Sequence, residues 1–282
     1  MTRYPLTPKG WTVSARSSVG PFATHVTWRR ADGGVTEWAS RAHRKRTSRL
    51  AGHTAGVWWA PWRVSWWIGV LFAVGSTCFF VGPFPGFVEV VGSQVDGIVF
   101  FVGSIFFTSA AALLWLETIN AQEGPPVMSK RRFRAVRFEP HRIDWWSSGV
   151  QLVGTLFFNV DTFHALQAGL DAQAYDRLVW TPDVVGSACF LVSGYLAYAE
   201  VCGGYVWTRR RGLEWRIAGV NLLGCIAFGI SAIAAFWVPS SGSVVDLAVA
   251  NVFTAFGGLC FLVGAILLLP ESAGHARAAA GA

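Results

Sequence analysis

The sequence predicts an all-α membrane protein, with six transmembrane helices arranged as three tandem two-helix hairpin repeats. Hydrophobic residues make up 53% of the 282 residues and charged residues only 14%, whereas about 25% of residues are charged in soluble domains. The apolar residues form six blocks, and most of these approach the roughly 20 residues that cross the hydrocarbon core of a bilayer. The blocks cover residues 64–82, 97–116, 145–163, 184–202, 216–238 and 246–269.

The basic residues predict the orientation of these helices. Of 23 Lys and Arg residues, all but Arg177 lie before block 1, after block 6, at the connections between blocks 2 and 3 and blocks 4 and 5, or beside those block ends. Basic residues collect on the cytoplasmic side of membrane proteins, so both termini are expected in the cytoplasm. The use of 20 Arg against 3 Lys is typical of a GC-rich bacterial genome. The expected location is therefore the bacterial cytoplasmic membrane.

The net charge of +7 is interpreted as attraction to the lipid bilayer and not as nucleic-acid binding. The basic runs flank membrane spans, where anionic lipid at the cytoplasmic face is the expected partner. Residues 1–63 form a basic cytoplasmic region before the first span. Within it, HVTWRRADGGVTEW (25–38) has two β-prone runs around Ala-Asp-Gly-Gly, which predicts a hairpin. The five Trp of VWWAPWRVSWW (57–67) are typical of a membrane interface.

The even-numbered blocks share one spacing of Gly, Phe and Glu. GSIFFTSAAALLWLE (103–117), GSACFLVSGYLAYAE (186–200) and GGLCFLVGAILLLPE (257–271) each place Phe four residues and Glu fourteen residues after Gly. In the odd-numbered blocks, Gly follows Trp by nine residues and Phe follows Gly by four. The sequence therefore predicts hairpin repeats at 64–120, 144–203 and 204–271, a basic cytoplasmic loop at 121–143 and a flexible tail at 272–282.

The repeated Gly and Phe positions fall on one face of each helix. Small residues let membrane helices approach closely, and Phe fills the space beside them. We therefore predict helix packing through these positions. They are Gly75, Phe79, Gly103, Phe107, Gly154, Phe158, Gly186, Phe190, Gly224, Phe228, Gly257 and Phe261.

The three repeated glutamates are predicted to lie near the cytoplasmic interface. A carboxylate is disfavoured at a helix carboxyl terminus, so a partner is expected. The arginines that precede the odd helices and the positive amino termini of those helices are both at that level. The glutamates would then latch one hairpin to the next; solvated glutamates or a role in ion or proton handling are the alternatives. The latch candidates are Glu117, Glu200, Glu271, Arg63, Arg142 and Arg211.

The third block contains polar residues, in QLVGTLFFNVDTFHAL (151–166). Asp161 and His164 are three residues apart, within pairing reach on a helix. Ionisable residues in a span usually face protein or water. The sequence favours a local, pH-sensitive pair near the outer interface. The alternative is a polar path formed by Gln151, Asp161, His164 and Asn221.

No catalytic, metal or cofactor site is predicted, and the protein is not expected to be an enzyme. The five cysteines all lie in apolar blocks and lack C-x2-C spacing, so they are interpreted as packing residues. The sequence has no G-x-S-x-G, P-loop or H-E-x-x-H motif.

The hairpin with G-x3-F spacing in both helices resembles the actinobacterial YrhK-like membrane proteins. The resemblance includes RIDWWSSGVQLVGTLFFNVDTF (142–163) and LEWRIAGVNLLGCIAFGISAIAAFWVP (213–239) and covers about 64–271. It implies a two-helix repeat and supplies no active-site residues. The expected function is that of a structural or interaction component of the membrane. A small-solute, ion or proton transporter or channel is the alternative.

Overall fold

The computed structural model describes residues 7–46, 58–121, 134–167, 169–206, 212–238 and 242–280. These residues form a small amino-terminal sheet and a bundle of long helices. The strands are β1 (Thr12–Val19), β2 (Phe22–Arg29), β3 (Val35–Ala39), β4 (Trp237–Val238) and β5 (Ser243–Val244). The helices are α1 (Ser40–Arg46), α2 (Val64–Val81), α3 (Pro85–Val91), α4 (Ser93–Ile119), α5 (Ile143–Ala165), α6 (Ala172–Tyr175), α7 (Thr181–Cys202), α8 (Leu213–Ala234) and α9 (Leu247–Ala280), with a π-helical turn at Asp176–Trp180.

Five helical segments are long and apolar enough to cross a membrane, which indicates a membrane-embedded protein. They are Val64–Val81, Ser93–Ile119, Ala172–Cys202, Leu213–Ala234 and Leu247–Ser272. The third predicted span is also helical, as α5, but is not among the five. Polar residues such as Asp144, Gln151 and Asp161 lower its mean hydropathy. The last helix continues to Ala280, beyond the end of the predicted third hairpin at residue 271.

The six long helices form a closed ring. In chain order α2 packs on α4, α4 on α5, α5 on α7, α7 on α8 and α8 on α9, and α9 packs back on α2. Each helix therefore has two neighbours in the ring. Three of these neighbouring pairs, α2 with α4, α5 with α7 and α8 with α9, cover the segments predicted as hairpins.

Within each of these pairs, a glycine of one helix faces a phenylalanine ring of the other. A Cβ atom on Gly75 would lie 2.6 Å from the Phe107 ring, on Gly154 2.8 Å from the Phe190 ring, and on Gly224 3.1 Å from the Phe261 ring. Contacts this short would force the ring to move. A larger residue at these glycines is therefore incompatible with the observed packing.

The reciprocal contact uses the other glycine and phenylalanine of each pair. A Cβ atom on Gly103 would lie 3.3 Å from the Phe79 ring, and one on Gly186 would lie 3.2 Å from the Phe158 ring. The third contact, between Gly257 and the Phe228 ring, measures 3.2 Å in the same way. The predicted packing residues thus meet one another across the helix pairs.

Six phenylalanines fill the middle of the ring in two layers. In the first, ring centroids of Phe79, Phe158 and Phe228 are 5.8–6.4 Å apart. In the second, those of Phe107, Phe190 and Phe261 are 5.7–6.3 Å apart. Phe158 and Phe190 join the layers at 4.9 Å. Such separations are those of interacting aromatic rings, so each layer closes the axis of the bundle.

The amino-terminal sheet is antiparallel, in the order β1-β2-β3. The hairpin predicted within 25–38 is confirmed: Arg29 pairs with Val35, and Gly33 has a φ of 83° in the turn between them. Strand β1 was not predicted, because TVSARSSV is almost entirely exposed and lacks an apolar alternation. At one tip of the sheet, Val19 and Phe22 pack against Ile143 of α5 and two residues of α7. The sheet is thereby fixed to one end of the bundle.

Candidate functional site

Helix α1 follows β3 directly and inserts three cations into the end of the ring that carries the sheet, here called the sheet end. Arg41, Arg44 and Lys45 have the i, i+3, i+4 spacing that places residues on one helix face. The Nε atom of Arg41 lies 3.1 Å from the Glu271 carboxylate, and Lys45 forms a second ion pair with Glu271. Two of the three cations therefore bind the repeated glutamate of α9.

Arg44 connects two other helices of the ring. Its Nη1 atom lies 3.1 Å from Oδ2 of Asp144 in α5 and 3.8 Å from Oε2 of Glu200 in α7. The remaining repeated glutamate, Glu117, accepts a hydrogen bond from the Ser65 hydroxyl at 2.5 Å. The three glutamates thus have three different sets of partners, although their positions in the hairpins are equivalent.

The α1 cations are buried together with these acids, so the cluster is electrostatically strong. Burial lowers the pKa of Lys45 to about 8, although the Glu271 carboxylate opposes this shift. Burial also acts to lower the pKa of Arg41, but the carboxylates of Glu271 and Glu200 raise it above its usual value. Removing one partner from such a cluster leaves an uncompensated buried charge. Helix α1 is therefore held at the sheet end by charge as well as by its link to the sheet.

Arg63 and Arg142 bind main-chain oxygens next to the repeated glutamates. Arg63 donates to the carbonyl of Ser272, and Arg142 donates to that of Thr118 at 2.9 Å. These carbonyls belong to the residues immediately after Glu271 and Glu117. Each arginine therefore connects its own hairpin to the neighbouring one in the ring. Arg142 also binds the carboxylates of Asp144 at 3.0 Å and Glu139 at 2.5 Å.

The latch was predicted to join the glutamates to the arginines that precede the odd helices. In the structure, cations of α1 bind Glu271 and Glu200 instead. Arg63 and Arg142 bind the adjacent main-chain carbonyls. The difference arises because α1 occupies the centre of the sheet end, where the carboxylates point. Arg63 and Arg142 lie at the starts of α2 and α5, next to the carbonyls of the neighbouring helix. The remaining candidate, Arg211, lies outside the described residues.

A short repeated motif positions these two arginines and was missed by sequence reasoning. APWRVSWW (60–67) and EPHRIDWW (139–146) share P-x-R-x-x-W-W. In each copy the first indole N–H donates to a carbonyl eight residues earlier, at 2.9 Å for both Trp66 and Trp145. The second donates to the proline carbonyl, at 2.8 Å for Trp67 and 2.9 Å for Trp146. The motif is visible when the residues that precede the odd-numbered helices are compared as well as the helices themselves.

A cavity of about 100 Å³ lies between α1 and the phenylalanine layers. Its wall contains residues of all six long helices as well as the three α1 cations. Two of the predicted path residues, Gln151 and Asn221, line it together with Glu117 and Glu200. This cavity is here called the chamber. Beyond it, the void among the phenylalanines measures only about 10 Å³.

The other two predicted path residues lie on the far side of the phenylalanine layers and do not line the chamber. Among the described residues no ion pair joins Asp161 to His164, so the predicted local pair is absent. Nδ1 of His164 is buried without a hydrogen-bond partner. The i, i+3 spacing places the two side chains on one helix face but does not by itself fix a contact between them.

The cysteines are free thiols, and in the part of the chain that the structure describes no group of three or more His, Cys, Asp or Glu could hold a metal ion. Comparisons with protein-family models, curated proteins and solved structures found no match to this chain. The resemblance to YrhK-like proteins therefore stays a prediction.

Proposed function

We propose that this protein is a multi-pass, non-enzymatic component of the bacterial cytoplasmic membrane, with a structural or interaction role and no open conduit. The observation that carries this proposal is the pair of phenylalanine layers across the axis of the ring. Each layer has three rings within 6.4 Å of one another. Because the remaining void is about 10 Å³, roughly the space of one water, the layers oppose passage of a hydrated solute.

In this proposal α5 is the sixth span, and the three helix pairs are hairpin repeats. Two observations support it. Helix α5 sits between α4 and α7, so the ring would be open without it. Its outward residues are apolar, since Val153, Leu156, Val160 and Phe163 are all exposed on the bundle surface. Its polar residues, which lower its hydropathy, include Asp144 and Thr155 in the protein interior.

The proposed orientation puts the sheet end and both termini in the cytoplasm. Support comes from the basic residues before α2 and between α4 and α5, which follow the positive-inside rule. Exposed Trp58, Trp59 and Trp67 at the same end are typical of residues at the lipid headgroup level. Anionic lipid is the expected partner of this face.

Cysteine labelling tests the topology. In a cysteine-free background, single cysteines at Val90, Ala172 and Ser241 should react with a membrane-impermeant maleimide from outside intact cells. Cysteines at Met128 and Arg209 should react only after the cells are opened. One site with the reverse behaviour would contradict the six-span topology.

The alternative function is a small-solute, ion or proton transporter, and the chamber is the observation that favours it. Proteoliposomes distinguish the two functions. We expect no proton or K⁺ flux above that of empty liposomes for the wild-type protein. A wild-type flux that Asp161→Asn abolishes would replace the structural proposal with a transporter.

A further inference from the structure

The chamber has polar atoms that the protein itself does not satisfy. Glu200 is 6% exposed, and its Oε1 atom is buried without a hydrogen-bond partner. The side chains of Gln151 and Asn221 line the same chamber and make no side-chain hydrogen bond with the described residues. Buried polar groups are normally paired, because an unpaired one costs its full desolvation free energy. The Glu200 oxygen has no surface open to the chamber, so the two amides are the groups that remain for a partner from outside the chain.

The chamber is large enough for that partner. Its volume of about 100 Å³ compares with the 10–15 Å³ that one water needs on the same measure. It has room for several waters or for one solute of about four to six non-hydrogen atoms. Phe72 occupies the position in α2 that Gln151 and Asn221 occupy in α5 and α8, six residues after the repeated Trp. The wall is therefore polar on two sides and aromatic on the third.

The charges around the chamber select against an ion. An added cation would lie beside Arg41, Arg44 and Lys45, all of which line the chamber. An added anion would lie beside Glu117 and Glu200. Arg44 already lies 3.1 Å from Asp144, and Arg41 lies 3.1 Å from Glu271, so the nearest ions are matched to one another. In a medium of low dielectric constant, a further unmatched charge is costly.

We propose that the chamber is a binding site for a small uncharged solute of the amide class. The carbonyl and the N–H groups of the solute meet the side-chain amides of Gln151 and Asn221. Planar amides also fit against the ring of Phe72. The phenylalanine layers close the chamber toward the opposite end, so binding does not require transport.

Three probes of nearly identical shape test the charge selectivity: acetamide, acetamidinium and acetate. Each is added to the full-length protein in nanodiscs and measured by equilibrium dialysis against protein-free nanodiscs. Saturable binding of acetamide is expected, with at least tenfold weaker binding of both ions. Equal binding of the three probes, tighter binding of either ion, or no saturable acetamide binding would overturn the proposal. This comparison uses only the wild-type protein.

Substitutions of the two amides locate the site. Gln151→Met and Asn221→Leu approximate the shape of each side chain and remove its hydrogen bonds, so each should weaken acetamide binding about fivefold. Asn251→Leu, in α9 outside the chamber, is the matched control and should bind like the wild type. Unchanged binding in both chamber variants would also overturn the proposal. Gel filtration and thermal melting show whether each variant is folded, and flux remains a separate measurement.

Discussion

The middle of the bundle and its sheet end use the same six helices in different ways. In the middle, equivalent residues make equivalent contacts, as Phe79, Phe158 and Phe228 do in their layer. At the sheet end, equivalent glutamates have different partners. Apolar packing depends on shape and is the same for every copy. A single α1 helix cannot present the same cation to three positions, so its docking breaks the symmetry.

The asymmetry is also present in the residues before the repeated Trp. Ser65, Asp144 and Glu214 occupy equivalent positions in α2, α5 and α8. The first is neutral and hydrogen-bonds Glu117 at 2.5 Å, the second binds Arg44 at 3.1 Å, and the third interacts with Arg41. The two acidic residues of this set, Asp144 and Glu214, are therefore those that interact with the α1 cations. The equivalent Gly and Phe positions therefore pack the ring, and the positions that differ among α2, α5 and α8 contact α1.

The largest change in the free energy of unfolding is expected for substitutions in the symmetric middle of the bundle. Phe190→Ala removes a ring that is 2% exposed and contacts both layers. Loss of the buried ring and the resulting cavity should lower the free energy of unfolding by about 3–5 kcal/mol. Denaturation in detergent, followed by tryptophan fluorescence, measures this change.

Phe256→Ala is the control for that prediction. Phe256 is 47% exposed on α9, and its replacement should change the free energy of unfolding by less than about 1 kcal/mol. Equal effects of the two substitutions would mean that the phenylalanine layers do not form the core. A symmetric core also predicts equal losses of unfolding free energy for alanine substitutions of Phe107, Phe190 and Phe261, the three rings of one layer.

The symmetric middle could be predicted from the sequence and the sheet end could not, for physical reasons. Gly154 and Phe158 are packing residues of a periodic helix face, so their spacing alone indicates their neighbours. The partner of Glu271 is 230 residues away, at Arg41, and SRAHRKR is only a short basic run in the sequence. The pairing of Asp161 with His164 was wrong because a local spacing says nothing about which helix packs alongside.

The second prediction concerns the sheet end. Glu271→Gln retains the shape of the side chain but removes the charge that Arg41 and Lys45 bind. Because Glu271 is 3% exposed, loss of these charge-assisted hydrogen bonds should lower the free energy of unfolding by about 1–3 kcal/mol.

The exposed Glu89 provides a matched control, and Glu89→Gln should have almost no effect. Glu117→Gln tests the same end at a different partner, since Glu117 accepts its hydrogen bond from a neutral serine at 2.5 Å. This substitution should lower the free energy of unfolding by less than Glu271→Gln does. Equal losses for Glu117 and Glu271 would show that the sheet end is as symmetric as the middle, contrary to the docking of α1.

The smallest expected effect is a pH dependence at Lys45. Burial lowers its pKa to about 8 from the usual 10.5, so between these values the unfolded chain holds a proton that the folded protein releases. The free energy of unfolding should therefore rise with pH, by about 1 kcal/mol from pH 8 to pH 9. Lys45→Met cannot titrate and should lack this increase when unfolding is measured at both pH values. An identical pH dependence in the two proteins would show that the Lys45 ammonium is not buried, and that α1 does not close the sheet end.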